Sequence, residues 1–389
     1  MKIIITVLLA TFILVSCVPT NKTVPPETVV STSTLIPQPI STLESWTQTP
    51  PVNIPNPTPI PTLPKGVIFD KVYAEKNSAG EDFYSIISTT DGGYLITRQP
   101  NYGPCSMHKL DSTGEEEWQY AVGEELGKEF VKEFRCRSLK QITSDGYAVI
   151  GTGQDVYRRE VKLFVLKFDS DGARKTVENF RWRNGMSPSL NKEGNLFWLS
   201  LFGLYGPIIE TSDNGYAVVG TLLDNTLDDS MHLFRADANG NYLWERNLCR
   251  DQNIKEEWAK HIACSNRNLW DAIESQDGGF VFLGRSPGIW LMKTDANGSI
   301  EWAKSYHGAD GHAVIQTSDG GFLITGTLNK GGLLIKTDAN GNLQWQKILG
   351  ENQYGAFKGV TMNAKGNIIV IGSKRDNMWL LSIDLDNIE

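Results

Sequence analysis

The side chains most capable of chemistry are scattered along this chain rather than grouped. His307, Asp310 and His312 lie close together in YHGADGHAV and offer metal-ligating atoms. Polar residues also lead into the corresponding stretches elsewhere, such as Glu81-Asp82 and Asn268, so we read the trio as a structural loop. Asp169 and Asp171 in FDSDG begin like a calcium loop but lack the downstream bidentate Glu, which leaves an Asx turn. No metal and no cofactor is expected. Asp224, Asp228, Asp229, Glu256 and Glu257 fall in loops where acids from different segments could act together on a polysaccharide. No nucleophile elbow, HExxH pair, phosphate loop or dinucleotide fingerprint occurs, so no catalytic residue is assigned.

Aromatic residues and cysteines concentrate in three inserts, 122–138, 181–207 and 245–270. Trp182, Trp198, Tyr205, Trp258 and Trp270 are the candidate binding residues there. Such rings either stack on sugars or apolar side chains, or cap the inserts with small apolar clusters. Cys249 and Cys264 bracket one insert, and Cys105 and Cys136 flank the first repeat unit, so two disulfides are expected. Four cysteines allow three pairings, and the sequence leaves the choice open.

The elements that position these residues follow from a repeat. Its first half is an apolar strand, a Ser/Thr-x-Asp-Gly turn and a second strand ending near Gly, as in SQDGGFVFLG from Ser275 and TSDGGFLITG from Thr317. Its second half is a strand, a D-x-x-G turn and a strand opening with Trp, as in KTDANGSIEW from Lys293 and KTDANGNLQW from Lys336. Period-two alternation with Asp/Asn-Gly turns makes four short strands per unit. Units of about 40–50 residues with four strands are propeller blades, and six such units occur. The expected fold is all-β, a six-bladed propeller over residues 66–389. The sixth unit lacks its last strand, which GVIFDKVYAE from Gly66 supplies, with Phe69 or a neighbour near the Trp position. Closing the ring in this way removes exposed sheet edges.

The turn aspartates Asp91, Asp145, Asp213, Asp277 and Asp319 recur in too many units to form one active site, and we assign them to turn bonding. Trp118, Trp244, Trp302 and Trp345 recur once per unit and are expected to pack between neighbouring sheets. The lysine before each second turn, as in Lys293 and Lys336, is expected to face outward. In a four-stranded blade the two tight turns share one face, and the inserts share the opposite face. Long loops on a rigid scaffold are where binding residues are usually placed.

Residues 1–16 read as a signal peptide, with Lys2, an apolar run from Ile3 to Val15, and Ser16 before Cys17. Leu14-Val15-Ser16-Cys17 resembles the bacterial lipobox. That resemblance implies lipidation of Cys17 and a mature chain starting there, held at the cell membrane by its lipid, palmitate among the acyl groups, and facing outward. With two membranes, Val18 after the cysteine fits outer-membrane sorting. Residues 17–65, rich in Pro, Thr, Ser and Val, form a disordered tether that buries no core.

The D-x-x-G-x-x-x-W spacing, in Asp295 to Trp302 and Asp338 to Trp345, is similar to the repeat of quinoprotein-like propellers, including the outer-membrane assembly lipoprotein of that class. The S-x-D-G-G turns resemble sialidase Asp boxes. Both resemblances imply fold, since no quinone-binding or calcium-binding set carries across. A net charge of −8 argues against nucleic acid. The leading expectation is a monomeric binding or scaffold module for an extracellular protein or glycan, using the insert face. A polysaccharide hydrolase or lyase and an envelope assembly factor are the alternatives.

Overall fold

The computed structural model of the 389-residue chain describes residues 65–73, 83–99, 105–122, 134–142, 146–154, 161–181, 187–190, 196–199, 207–221, 230–238, 241–264, 269–285, 288–307, 310–351, 353–375, 377–385 and 387. Cys17, the expected signal segment and the expected tether up to residue 64 lie outside these, as do Asp145, Trp182, Tyr205, Asp224, Asp228 and Asp229.

Six four-stranded antiparallel sheets form the blades. Blade 1 is β2 (Phe83–Ser88), β3 (Tyr94–Gln99), β4 (Cys105–Leu110) and β5 (Glu116–Val122). Blade 2 is β6 (Phe134–Ile142), β7 (Gly146–Gln154), β8 (Val161–Asp169) and β9 (Arg174–Arg181). A two-stranded hairpin, β10 (Ser187–Leu190) and β11 (Leu196–Leu199), stands in the second insert. Blade 3 is β12 (Ile208–Glu210), β13 (Tyr216–Thr221), β14 (Met231–Ala236) and β15 (Tyr242–Asn247). Helix α1 (Glu257–Cys264) lies in the third insert. Blade 4 is β16 (Leu269–Glu274), β17 (Phe280–Arg285), β18 (Ile289–Thr294) and β19 (Ile300–Tyr306). Blade 5 is β20 (Asp310–Gln316), β21 (Phe322–Leu328), β22 (Gly331–Thr337) and β23 (Leu343–Leu349). Blade 6 is β24 (Gly355–Met362), β25 (Ile368–Lys374) and β26 (Asn377–Ile383), completed by β1 (Val67–Tyr73).

Closure occurs as the sequence implies. β1 pairs antiparallel with β26, and Phe69 stands opposite Ser382 as Trp345 stands opposite Lys336. A register shift beside Phe69 matches the shift two residues before Trp345. The first strands of neighbouring blades touch around the axis, β24 against β2, β2 against β6, β12 against β16, β16 against β20 and β20 against β24.

The two turns of each blade explain their sequences. Asp319 Oδ1 accepts from the Thr317 hydroxyl at 2.5 Å and from Gly321 N at 3.1 Å, and Gly320 adopts φ +81°. Asp91, Asp213 and Asp277 repeat this bonding with Thr89, Thr211 and Ser275. In the second turn Asp338 Oδ1 accepts from Asn340 N at 2.9 Å and Asn342 N at 2.8 Å. Asp169 makes the corresponding bond to Ala173 N at 2.7 Å, an Asx turn.

The glycine ending the D-x-x-G turn is required twice over in four blades. Gly341 has φ +73°, and a Cβ there would meet the Trp302 ring of the preceding blade at 2.7 Å. Gly172 on Trp118 and Gly298 on Trp244 repeat the contact, and Gly114 meets Phe69 across the closure. The indoles also pack on the next blade's core, with ring centroids of Trp118–Tyr147 at 6.2 Å, Trp244–Phe280 at 6.5 Å and Trp302–Phe322 at 5.9 Å. Trp345 packs into the blade 6 cluster with Leu385.

The expected outward lysines are instead buried. Lys293 and Lys336 are each 4% exposed, because both sides of a third strand are covered by neighbouring sheets. Each amine reaches back to the first turn of its own blade. Lys293 Nζ donates to Asp277 Oδ2 at 2.7 Å, Glu301 Oε2 at 2.6 Å and the Thr294 carbonyl at 3.2 Å. Burial opposes ionisation of Asp277, yet bonds from Lys293, Ser275 and Gly279 prevail and hold its carboxyl at about 2. Lys109 with Asp91, Lys336 with Asp319 and Arg235 with Asp213 make the same lock.

Candidate functional site

The first strands carry a second repeated device, an extra residue in the first half of the strand. Register shifts interrupt β6 between Cys136 and Ser138, β16 between Leu269 and Asp271, β20 between Gly311 and Ala313, and β24 between Phe357 and Gly359. The extra residues are Arg137, Trp270, His312 and Lys358. A bulge re-aims its side chain and bends the strand, which is why bulges recur beside binding sites. Opposite each bulge stands a glycine near the end of the second strand, Gly151, Gly284, Gly326 or Gly372. A Cβ on Gly326 would lie 2.2 Å from the Asp310 carbonyl oxygen, and one on Gly372 would lie 1.8 Å from that of Ala356. Blade 1 supports the pairing of the two features, since it has Arg98 where the others have glycine and its β2–β3 register is unbroken.

Three of these residues meet across blades 4, 5 and 6. Trp270 and His312 pack edge to face with centroids 5.5 Å apart. Lys358 Nζ lies 3.1 Å from His312 Nε2. An ammonium only donates, so His312 accepts at Nε2 and carries its proton on Nδ1. Burial, then the nearby Lys358, pulls the His312 pKa down to about 3, which keeps the ring neutral. Arg285, ending β17, stacks its guanidinium 4.2 Å from the Trp270 ring centroid and donates to Asp310 Oδ1 at 3.1 Å.

Asp271 sits beside this cluster. Its Oδ1 accepts from Ala272 N and its Oδ2 from Val314 N of the next blade, both at 2.9 Å. Its side chain is desolvated between the first strands of blades 4 and 5. That desolvation raises its carboxyl to about 6 against the opposing effect of the two backbone bonds.

The two disulfides staple the site's surroundings. Cys105–Cys136, with Cα atoms 5.8 Å apart, ties β4 to β6 next to the blade 2 bulge. Cys249–Cys264, with Cα atoms 4.6 Å apart, closes the third insert on itself. Trp258 of α1 packs half-buried against the core shared by blades 3 and 4. Glu256 and Glu257 are exposed beside it. Of the other expected aromatics, Trp198 lies in β11 with its side chain outside the described set.

No protein-family model and no curated protein matches the chain. Among solved structures it is similar to a glucose dehydrogenase, at 12% identity over 81% of this chain and 99% of that one, with a TM-score of 0.44. It is similar to the PQQ-bound aldose sugar dehydrogenase of Streptomyces coelicolor, at 9% identity over 81% and 98% of the two chains, with a TM-score of 0.46. The apo aldose sugar dehydrogenase of Escherichia coli gives 12% identity over 81% and 99%, with a TM-score of 0.44. These likenesses are distant in both sequence and backbone.

The sequence singled out Trp270 and the trio His307, Asp310 and His312, and the structure divides them. Trp270, Asp310 and His312 join one cluster, whereas His307 is exposed between blades 4 and 5. Among the described residues no group of three His, Cys, Asp or Glu side chains is placed to hold a metal. Arg285, Asp271 and Lys358 were not anticipated. Two signals marked them, the second-strand glycine and a fixed spacing that puts Trp270, His312 and Lys358 seven residues before Asp277, Asp319 and Lys365.

Proposed function

We propose that this chain is a lipid-anchored, surface-exposed propeller that binds an extracellular glycan through its insert-bearing face. The observation that carries this reading is the row of bulges that brings Trp270, His312 and Lys358 together at the mouth of the ring. An aromatic ring, a fixed imidazole N–H, and cationic and carboxylate groups within one cluster suit the apolar faces and hydroxyl edges of sugars. A hydrolase or lyase needs two carboxyl groups at liberty to attack or to exchange protons. In the described mouth both oxygens of Asp271 are held by backbone N–H groups and Asp310 is held by Arg285, which favours binding over turnover.

The test uses the full chain in detergent micelles on immobilised polysaccharides, scoring retention and new sugar ends together. Retention without cleavage is expected, and Trp270→Ala or Lys358→Ala should weaken it by about tenfold or more, on the order of 1.4 kcal/mol. Release of new ends, or undiminished retention by both variants, contradicts the reading.

The anchor rests on the quartet ending at Cys17 and on the tether. Pairing of the other four cysteines in disulfides supports an oxidising exterior. Cells fed labelled palmitate should label the parent chain, and Cys17→Ala should abolish the label and leave the protein in the aqueous phase. Labelling of the variant would contradict lipidation at Cys17.

A further inference from the structure

A second cluster of residues stands on the segments that join the strands of blades 5 and 6. Five described non-glycine residues adopt positive φ, and four of them converge there. Asn329 (φ +51°) and Lys330 (+56°) form the β21–β22 turn, Tyr354 (+53°) precedes β24, and Arg375 (+50°) follows β25. Backbone bonds tie the three segments together, from Gly355 N to the Lys330 carbonyl at 2.8 Å and from Arg375 N to the Gln353 carbonyl at 3.2 Å. Lys330 Nζ lies 4.9 Å from the Tyr354 ring centroid.

A left-handed backbone is unfavourable for a bulky aromatic residue, and burial of the ring ordinarily offsets it. Tyr354 is 66% exposed, so packing does not offset it here. The described charges on its neighbouring segments are Lys330, Arg375 and Glu351, while Lys374 turns to the Trp379 ring and to Asp70 at 3.9 Å. Cations flanking an exposed aromatic face match a sugar ring that carries a carboxylate.

We infer that Tyr354, with Lys330 and Arg375, contacts an acidic sugar residue of the polysaccharide. This rests on the glycan reading above and adds to it a ligand class and a second point of attachment. The full chain in detergent is titrated with polygalacturonate, with neutral dextran and with polyglutamate, an anionic polymer without sugar rings. Polygalacturonate should bind best, and Tyr354→Gly should weaken it by about tenfold without lowering Tm, since glycine takes positive φ freely. The double variant Lys330→Gln, Arg375→Gln should lose the preference for polygalacturonate over dextran. Unchanged binding by Tyr354→Gly, a preference for dextran, or equal binding of polyglutamate overturns the inference and leaves the mouth reading standing. Retention of none of these glycans or of the wider panel overturns both.

Discussion

Removing Gly66–Tyr73 should abolish the cooperative melting of the propeller. The segment pairs with β26 on its outer side, and it holds blade 6 to blade 1 as well. Within blade 6, Asp70 Oδ1 accepts from Trp379 Nε1 at 2.6 Å, and the Gly66 carbonyl accepts from Asp384 N at 2.8 Å. Across the closure, Lys71 donates to Glu115 at 2.5 Å, the Tyr73 hydroxyl donates to the Gly114 carbonyl, and Phe69 lies under Gly114. Deletion exposes the ladder groups of β26 and opens the ring between two sheets whose cores are shared, since Phe69 and Tyr73 pack with Tyr94, Leu110 and Leu380. Calorimetry should show no sharp transition, and near-ultraviolet circular dichroism should collapse. A deletion variant that melts within a few degrees of the parent contradicts closure by β1.

Gly326→Ala should destabilise the chain by about 3 kcal/mol or more and impair ligand binding with it. The added methyl would sit 2.2 Å from the Asp310 carbonyl oxygen and 3.4 Å from Gly311 Cα, all backbone held in paired strands. Relief requires moving the start of β20, which carries Asp310 and His312 into the mouth. At roughly 2 °C per kcal/mol for a domain this large, the midpoint should fall by about 6 °C or more. Gly320→Ala is the control. Its Cβ meets nothing nearer than Ala339 Cβ at 3.8 Å, so only its φ of +81° is penalised, at about 1–2 kcal/mol, and binding should persist. Equal effects of the two substitutions would contradict the link between the glycine and the bulge.

The fold was legible because its determinants are local and repeated. Aspartate and glycine at fixed offsets in TSDGG and DANG specify two turns in five blades, and a sixth copy of the first half, with Lys365 in place of the aspartate, completes the ring. The missing strand of the last unit and the unpaired strand pattern from Gly66 identify each other. The orientation of Lys293 and Lys336 was misread because alternation separates an inner from an outer face only when a sheet has one covered side. Blades stack on both sides, so β18 and β22 are buried at every position and an outward lysine has nowhere to point. The mouth was least legible. Trp270, His312 and Lys358 come from different blades, and what joins them is a bulge marked in the sequence by a glycine on the neighbouring strand and a constant spacing to the first turn. His312 therefore passed for one polar loop residue among several.

The most direct test is hydrogen exchange followed by mass spectrometry on the full chain, with and without a saturating concentration of the glycan it retains. Binding at the mouth predicts protection of 269–274, 310–316 and 355–362, with the plain-face turns at 89–93, 275–279 and 317–321 unchanged. Protection confined to those turns, or to the outer strands, would contradict a binding site built from the first-strand bulges.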